Sequence, residues 1–411
     1  MLMQTMGECM MLGLSAGRRI RVLHALATLL AAALALSLAG CAMDRARTRG
    51  AGSAAAPVAA AFGSDGRLWR VTADTQHVYV DASSDLGKSF GRPVAVNRQA
   101  QSIRVSNDDR PHIVVDKAGR IWVTYSADAA QSGTAYFSYS SDGGNSFNEP
   151  VPVSDQAASA RGYLAQLAVD GEGRPHFFWH DERDGNGGRD SARGGSLYYA
   201  SLDTAAARTP VARRVLRTAC ERCPIEVAFD SDGLPVLFSR FVFPIKERDH
   251  GLVKVTSDGK GWSSWRVTDD DWEADVCPVQ GPAFSIGPDG RYHVAWFTQG
   301  KNRQGLFYAR SDDHGKHFSP FMPFGDAGAL ASHPVVLSLG YRVALVWQEF
   351  DGRLTHIKAM LSQDGGERWS AVKTVAQAKG ASDYPELVSD GRQIFLSWNS
   401  SEQGYRLMAL E

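Results

Sequence analysis

Two cysteines three residues apart, Cys220 and Cys223, are followed by Cys277 and later by His333. Thiolates with a nearby imidazole suit soft or borderline cations such as Cu(I) or Zn(II), and the same thiols suit a disulfide or a redox pair. The chain has five cysteines, and the other two, Cys9 and Cys41, lie near its N-terminus. The three that remain are an odd number, so one disulfide leaves one thiol over. A redox C-x-x-C works best at a helix N-terminus, where the thiolate is stabilised. Here Cys223 is followed by Pro224 and a strand-like run. The first expectation is therefore a structural disulfide from Cys277 to Cys220 or Cys223. A Cu or Zn site that includes His333, or a redox pair, is the alternative; no cofactor is certain.

The elements that carry these residues repeat. Ser83–Phe90, Ser140–Phe147, Ser311–Phe318 and Ser362–Trp369 share the pattern Ser-x-Asp-x-Gly-x-[Ser/His/Arg]-aromatic. Ser and Asp side chains bond nearby backbone N–H groups and fix a tight turn, Gly allows a positive φ, and the aromatic pins the turn to a sheet. A second repeat interlocks with it. Gly66, Gly119, Gly173, Gly233, Gly290, Gly340 and Gly391 recur every 50 to 60 residues. Each is followed by an apolar run such as Leu68-Trp69-Arg70-Val71, Ile121-Trp122-Val123 or Ile394-Phe395-Leu396. Short β-branched and aromatic runs bounded by Gly and Asp read as strands. A period near 50 residues with about four strands per unit is the signature of a β-propeller. Seven units are expected, closing as six or seven blades. The last has room for three strands, and the segment near Ala54–Ala61 is expected to add its fourth. Ser257–Trp262 reads as a degenerate copy of the box in unit four.

The box resembles the Asp-box, or bacterial neuraminidase repeat, of sialidase-type propellers. That resemblance implies an all-β, sialidase-like fold with the boxes on outer turns, away from the ligand. In such propellers ligands bind at the mouth of the central channel, where the inner strands begin. Cys220, Cys223, Cys277 and His333, with His112, should all face that end, and units four and five should be neighbours there. Sialidases also imply three arginines on the substrate carboxylate, because a guanidinium fork matches a carboxylate in two places. They use a Tyr nucleophile with a Glu, and an Asp acid/base. The positions that match in part are Tyr384 in Tyr384-Pro385-Glu386, Glu226 entering unit four, and Arg240 seven residues after Gly233. Asp108-Asp109-Arg110 offers an acid, Asp109, and a second guanidinium, Arg110. The N-terminal Arg-Ile-Pro-type motif is missing, and unit one reads Ala60-Ala61-Phe62-Gly63 instead. Trp272 is either a sugar platform or packing. The set from Cys220 to Gly281-Pro282 also resembles bacterial envelope proteins labelled sialidase-like.

The N-terminus carries an address. Arg18, Arg19 and Arg21 precede an apolar run, Leu23 to Leu38, which reads as an export signal. It ends Leu38-Ala39-Gly40-Cys41, which resembles a bacterial lipobox. That implies cleavage before Cys41, a lipid on its sulfur, and, with Ala42 next, the outer membrane on its periplasmic or surface face. Residues 1–40 are then the signal, 41–60 an Ala/Gly/Ser-rich tether, and 61–411 the propeller. Net charge is −1, so no basic footprint suggests nucleic acid. A monomer is expected.

Two functions follow from these readings. One is a binding module that takes a sugar, a metal or an envelope protein at the channel mouth. The other is an exo-sialidase-type glycoside hydrolase acting on acidic sugars, which needs the arginine triad that the sequence lacks.

Overall fold

In a computed structural model, the described residues are 55–129, 132–155, 162–184, 195–202, 210–220, 223–256, 261–274 and 280–411. They form six antiparallel sheets that carry the seven repeat units, units three and four sharing one sheet through the Ala219–Phe241 pair. Unit one runs Ala59–Phe62, Leu68–Ala73, Val78–Ser83 and Val94–Ala95, and the others follow the same up-and-down order. The units share the hairpin logic read from the glycines. All seven turn glycines have positive φ, from 65° to 80° at Gly340 and Gly119 and 85° at Gly391. In units two and three an Asp carboxylate caps the turn. Asp116 accepts from Ala118 N–H and Arg120 N–H, both at 2.9 Å.

The seven inner strands are Ala59–Phe62, His112–Val115, Gly162–Val169, Glu226–Phe229, Ala283–Ile286, Ser332–Leu339 and Glu386–Ser389. Each touches the next, and the last touches the first. The second strands hold the core. Trp122, Trp179, Trp296, Trp347 and Trp398 are almost wholly buried, and each needs a partner for its indole N–H. Asp116, Asp181, Asp270 and Glu349 accept four of these bonds at 2.7–3.2 Å, and the Asp383 carbonyl accepts the fifth at 3.0 Å. These four buried carboxylates thus serve buried tryptophans.

The four boxes make identical bonds. In the first, Ser83 Oγ donates to Asp85 Oδ1 at 2.7 Å and accepts from Gly87 N–H at 2.8 Å. Asp85 in turn accepts from Ser89 N–H at 2.9 Å. Box glycines also lie against the preceding unit. A Cβ on Gly144 would stand 2.5 Å from the Trp69 ring, and one on Gly315 2.6 Å from Leu252. The boxes therefore fasten one unit to its neighbour as well as closing a turn. The degenerate box at Ser257–Lys260 lies outside the described residues.

Two boundaries differ from expectation. The N-terminal segment does not add a strand to the last unit, which keeps the three strands Glu386–Ser389, Ile394–Ser400 and Gly404–Ala409. Ala59–Phe62 pairs instead with Leu68–Ala73, from Ala59 opposite Val71 to Phe62 opposite Leu68. The turn at Gly63–Gly66 makes this hairpin local, and a short loop costs far less closure entropy than reaching round the ring. The ring closes through side chains: Phe62 packs on Phe395, Phe90 on Tyr405, and Asn399 Nδ2 donates to the Ala56 carbonyl at 2.8 Å. The end of the compositional tether is accordingly part of the fold, with Val58, Ala59 and Ala60 buried.

Candidate functional site at the channel mouth

The inner strands leave their ladders at one end, and this is what supplies a site. In unit two, Arg104 pairs with Ser126 and His112 pairs with Thr124. The neighbouring strand advances two residues while Val105–Pro111 makes an excursion. In unit four, Ala219 pairs with Phe241 and Glu226 with Phe238. Units three and six carry smaller bulges, at Tyr163/Gln166 and Ser332/Val335. Leu164 and His333 sit in these with φ of 53° and 50°. In unit seven the Ser382–Ser400 bridge and the Glu386–Ser397 pair enclose Asp383-Tyr384-Pro385. Extra residues in a strand re-aim side chains, and bulges concentrate where sheets carry sites.

These departures enclose a cavity of about 270 Å³ whose polar lining includes Asp108, Arg110, His112, Glu226, His333, Tyr384 and Glu386. Arg110 is the only arginine or lysine among the described residues that line it. Its guanidinium donates to three backbone carbonyls: Asn107 at 3.4 Å, Val58 at 3.2 Å and Tyr384 at 3.4 Å. Carbonyls orient a cation without neutralising it, so the positive charge stays in the mouth. The His333 ring lies on the Tyr384 ring, with centroids 3.5 Å apart and planes 20° from parallel.

Desolvation dominates the electrostatics. Enclosure by the ring, then the charge of Glu386, raises the Glu226 carboxyl to about 8 against the partial opposition of Arg110. Burial raises Glu386 to about 7 and Asp383 to about 6, again against Arg110. Burial, with Arg110 beside them, lowers both His112 and His333 to about 3. The Tyr384 phenol is pushed up to about 12 by burial and by the charge of Asp108. At neutral pH the mouth therefore holds a protonated Glu226, a half-ionised Glu386, a mostly ionised Asp383, neutral imidazoles, a protonated phenol and the Arg110 cation.

Of the residues named from sequence, Tyr384, Glu226, Arg110 and His333 come together here. Others lie elsewhere. Arg240 is fully buried, with Nη2 donating to the Phe297 carbonyl at 2.8 Å, Nη1 to Cys223 Sγ at 3.4 Å, and its head over the Trp272 ring at 4.8 Å. Trp272 is thus covered by an arginine and by Phe297, and it packs rather than offering a sugar platform. Asp249 and Glu247, the acids within reach of Arg240 in sequence, pair with Arg266. Asp109 turns aside and accepts from Ser126 Oγ at 2.8 Å, while its neighbour Asp108 lines the cavity. Cys220 and Cys223 are buried below the mouth, and Cys220 Sγ accepts from Arg248 at 3.3 Å. Cys277 lies outside the described residues, as do Cys41 and the signal. Among the described residues no three His, Cys, Asp or Glu side chains form a group able to hold a metal.

Glu386 and Asp383 are functional candidates that sequence matching passed over. The signal was present in Asp383-Tyr384-Pro385-Glu386, where two acids flank the tyrosine at the start of an inner strand.

No family model and no curated protein matches the sequence. Solved structures do. An ulvan lyase, a polysaccharide lyase, superposes with a TM-score of 0.55 at 12% identity over 88% of this chain and 94% of that one. Hadza microbial sialidase Hz136 superposes with a TM-score of 0.50 at 15% identity over 82% and 74%. The fold is a sialidase-like β-propeller. The propeller's Asp-boxes and its inner-strand mouth stand where that fold requires them, on outer turns and around the ring centre respectively.

Proposed function

We propose that the propeller is an envelope-anchored binding module that takes the carboxylate of an acidic sugar at the channel mouth. The observation that carries this reading is Arg110, a cation in the cavity wall whose hydrogen bonds go to three carbonyls. A guanidinium held by neutral oxygens retains its charge for an incoming anion. Protonated Glu226 and Glu386 can donate to sugar oxygens, and the neutral imidazoles can accept from sugar hydroxyls. In a full propeller chain, lipidation at Cys41 would hold this mouth at the outer membrane, with an envelope carbohydrate or protein as its partner and no nucleic acid.

Hydrolysis of the sialidase type is less well supported. It asks for a guanidinium triad where one arginine lines the mouth, and for a base on the tyrosine. Among the described residues no hydrogen bond to the Tyr384 hydroxyl is present, and its phenol is raised rather than lowered.

The fold's neighbours supply the probes, since one was solved bound to a glucuronate–sulfated rhamnose unit and another is a sialidase. Calorimetric titration of the full chain with a glucuronate oligosaccharide and with a sialoside tests the reading. Saturable binding of at least one, weakened about 10- to 100-fold in Arg110→Ala, is expected for loss of a charge-assisted contact. Binding that survives Arg110→Ala unchanged refutes it.

A further inference from the structure

The end of the tether, Val58–Ala60, is tied into the mouth more closely than strand pairing requires. Val58 N–H donates to Asp383 Oδ2 at 3.3 Å, and Ala60 N–H donates to Glu386 Oε2 at 3.1 Å. The Val58 carbonyl is the acceptor, at 3.2 Å, for Arg110 Nη1. Val58 therefore stands between a carboxylate and a guanidinium, bonded to one through its N–H and to the other through its C=O.

Asp383 is anchored from the other side as well. Its Oδ1 accepts from Asn399 N–H at 2.8 Å, its own N–H donates to the Asn399 carbonyl at 2.9 Å, and its carbonyl accepts the Trp398 indole. It is 1% exposed, and a buried carboxyl group keeps its place only through such bonds. The second carbonyl that orients Arg110 belongs to Tyr384, the next residue along. Both of these contacts of the arginine head are thus set by Asp383, one through the chain and one through Val58. Arg110 itself sits on the excursion Val105–Pro111, which has little ladder bonding of its own.

We propose that Asp383 is the positioning residue of the channel mouth and that Val58–Ala60 is a built-in part of the site, because Asp383 fixes Val58 and the Val58 carbonyl aims Arg110 into the cavity. The proposal rests on the reading that Arg110 receives the anion. Its physical content is preorganisation. A long charged side chain loses rotamer freedom when it is immobilised, and a scaffold that has already immobilised it spares the ligand that cost.

The test is a double-mutant cycle on the full chain with a glucuronate oligosaccharide. Asp383→Asn keeps the shape but replaces one acceptor oxygen with a donor. It is expected to weaken binding about tenfold in the native background and less than about twofold in an Arg110→Ala background. Equal losses in both backgrounds, or no loss in either, overturn the proposal. Val58→Pro removes the same N–H without touching Asp383, and it should reproduce the Asp383→Asn loss; if it does not, the relay through Val58 is wrong. A ligand-free arm separates this inference from the binding reading. Phenylglyoxal modification of Arg110, followed by mass spectrometry, should be faster in Asp383→Asn, and hydrogen exchange should rise in the 55–62 peptide. An unchanged Arg110 rate overturns the positioning role. A faster rate with no carbohydrate binding by the native chain sustains the positioning role and defeats the ligand assignment.

Discussion

Replacing Glu226 with Gln should stabilise the protein, and only above acid pH. The carboxyl has an ordinary value of 4.5 and is raised to about 8 in the fold by enclosure and by Glu386. Between those values the folded chain binds more protons than the unfolded one, so stability falls as pH rises. The contribution is intact below about 4.5 and is lost progressively up to about 8. At 1.36 kcal/mol per pH unit the full interval corresponds to about 5 kcal/mol. Water in the open mouth screens part of this, and Glu386 shares the same proton competition, so a gain of about 1–2 kcal/mol at pH 8.5 is expected. Gln keeps the size and hydrogen-bonding capacity and cannot ionise. For a propeller of this length the gain corresponds to roughly 1–3 °C in Tm. Thermal or urea melts of native and Glu226→Gln protein from pH 4 to pH 9 measure it. The curves should coincide near pH 4, diverge between about pH 4.5 and 8, and keep a constant separation above that. A constant offset at all pH, or a variant less stable at pH 8.5, would refute the reasoning, because either result means that Glu226 is not held protonated by the ring.

The same ionisations govern the ligand. Affinity for a carboxylate sugar should fall as pH rises from 6 to 9, as Glu386 and then Glu226 become anionic beside Arg110; a flat profile in calorimetry counts against Arg110 as the anchor. Tyr384→Phe should leave carbohydrate affinity within about twofold, since no hydrogen bond to its hydroxyl is present among the described residues. Sialoside turnover in the native chain that vanished in this variant would instead establish a tyrosine nucleophile. Gly144→Ala should cost about 2–4 kcal/mol, because its φ is 82° and the added methyl meets the Trp69 ring at 2.5 Å. Equal melting of that variant and the native chain would show that the box does not clamp the neighbouring unit. Asp364→Ala should lower the urea midpoint slightly, because the Glu367 and Arg368 amides then turn to water and the box loses its internal acceptor; an unchanged midpoint would show that the Asp does not hold the turn.

The repeat was legible because its physics is local. A box needs only a Ser, an Asp and a Gly at fixed offsets to satisfy its own backbone donors, so Ser83, Asp85 and Gly87 announce the turn that they make. The turn glycines and the Trp-bearing second strands are legible for the same reason: positive φ and a short continuous apolar run, buried on both faces, are properties of a few consecutive residues. Counting these signals leads to the propeller and to the inner-strand ends around which the cavity lies.

What the tertiary structure decided is which of the residues near those ends meet. Arg240 and Asp109 have plausible types and spacings, yet Arg240 stands in the unbroken second strand of unit four and is buried over Trp272, and Asp109, in the excursion before His112, turns to Ser126. Glu226, Glu386 and Arg110 come from units two, four and seven, and no sequence spacing encodes their shared cavity. Their altered acidities arise from that enclosure, which no residue type carries by itself. Local sequence determined the turns, the strands and their sevenfold recurrence; closure of the ring alone determined that Val58, Asp383 and Arg110, more than 300 residues apart at the extremes, stand in one line of hydrogen bonds.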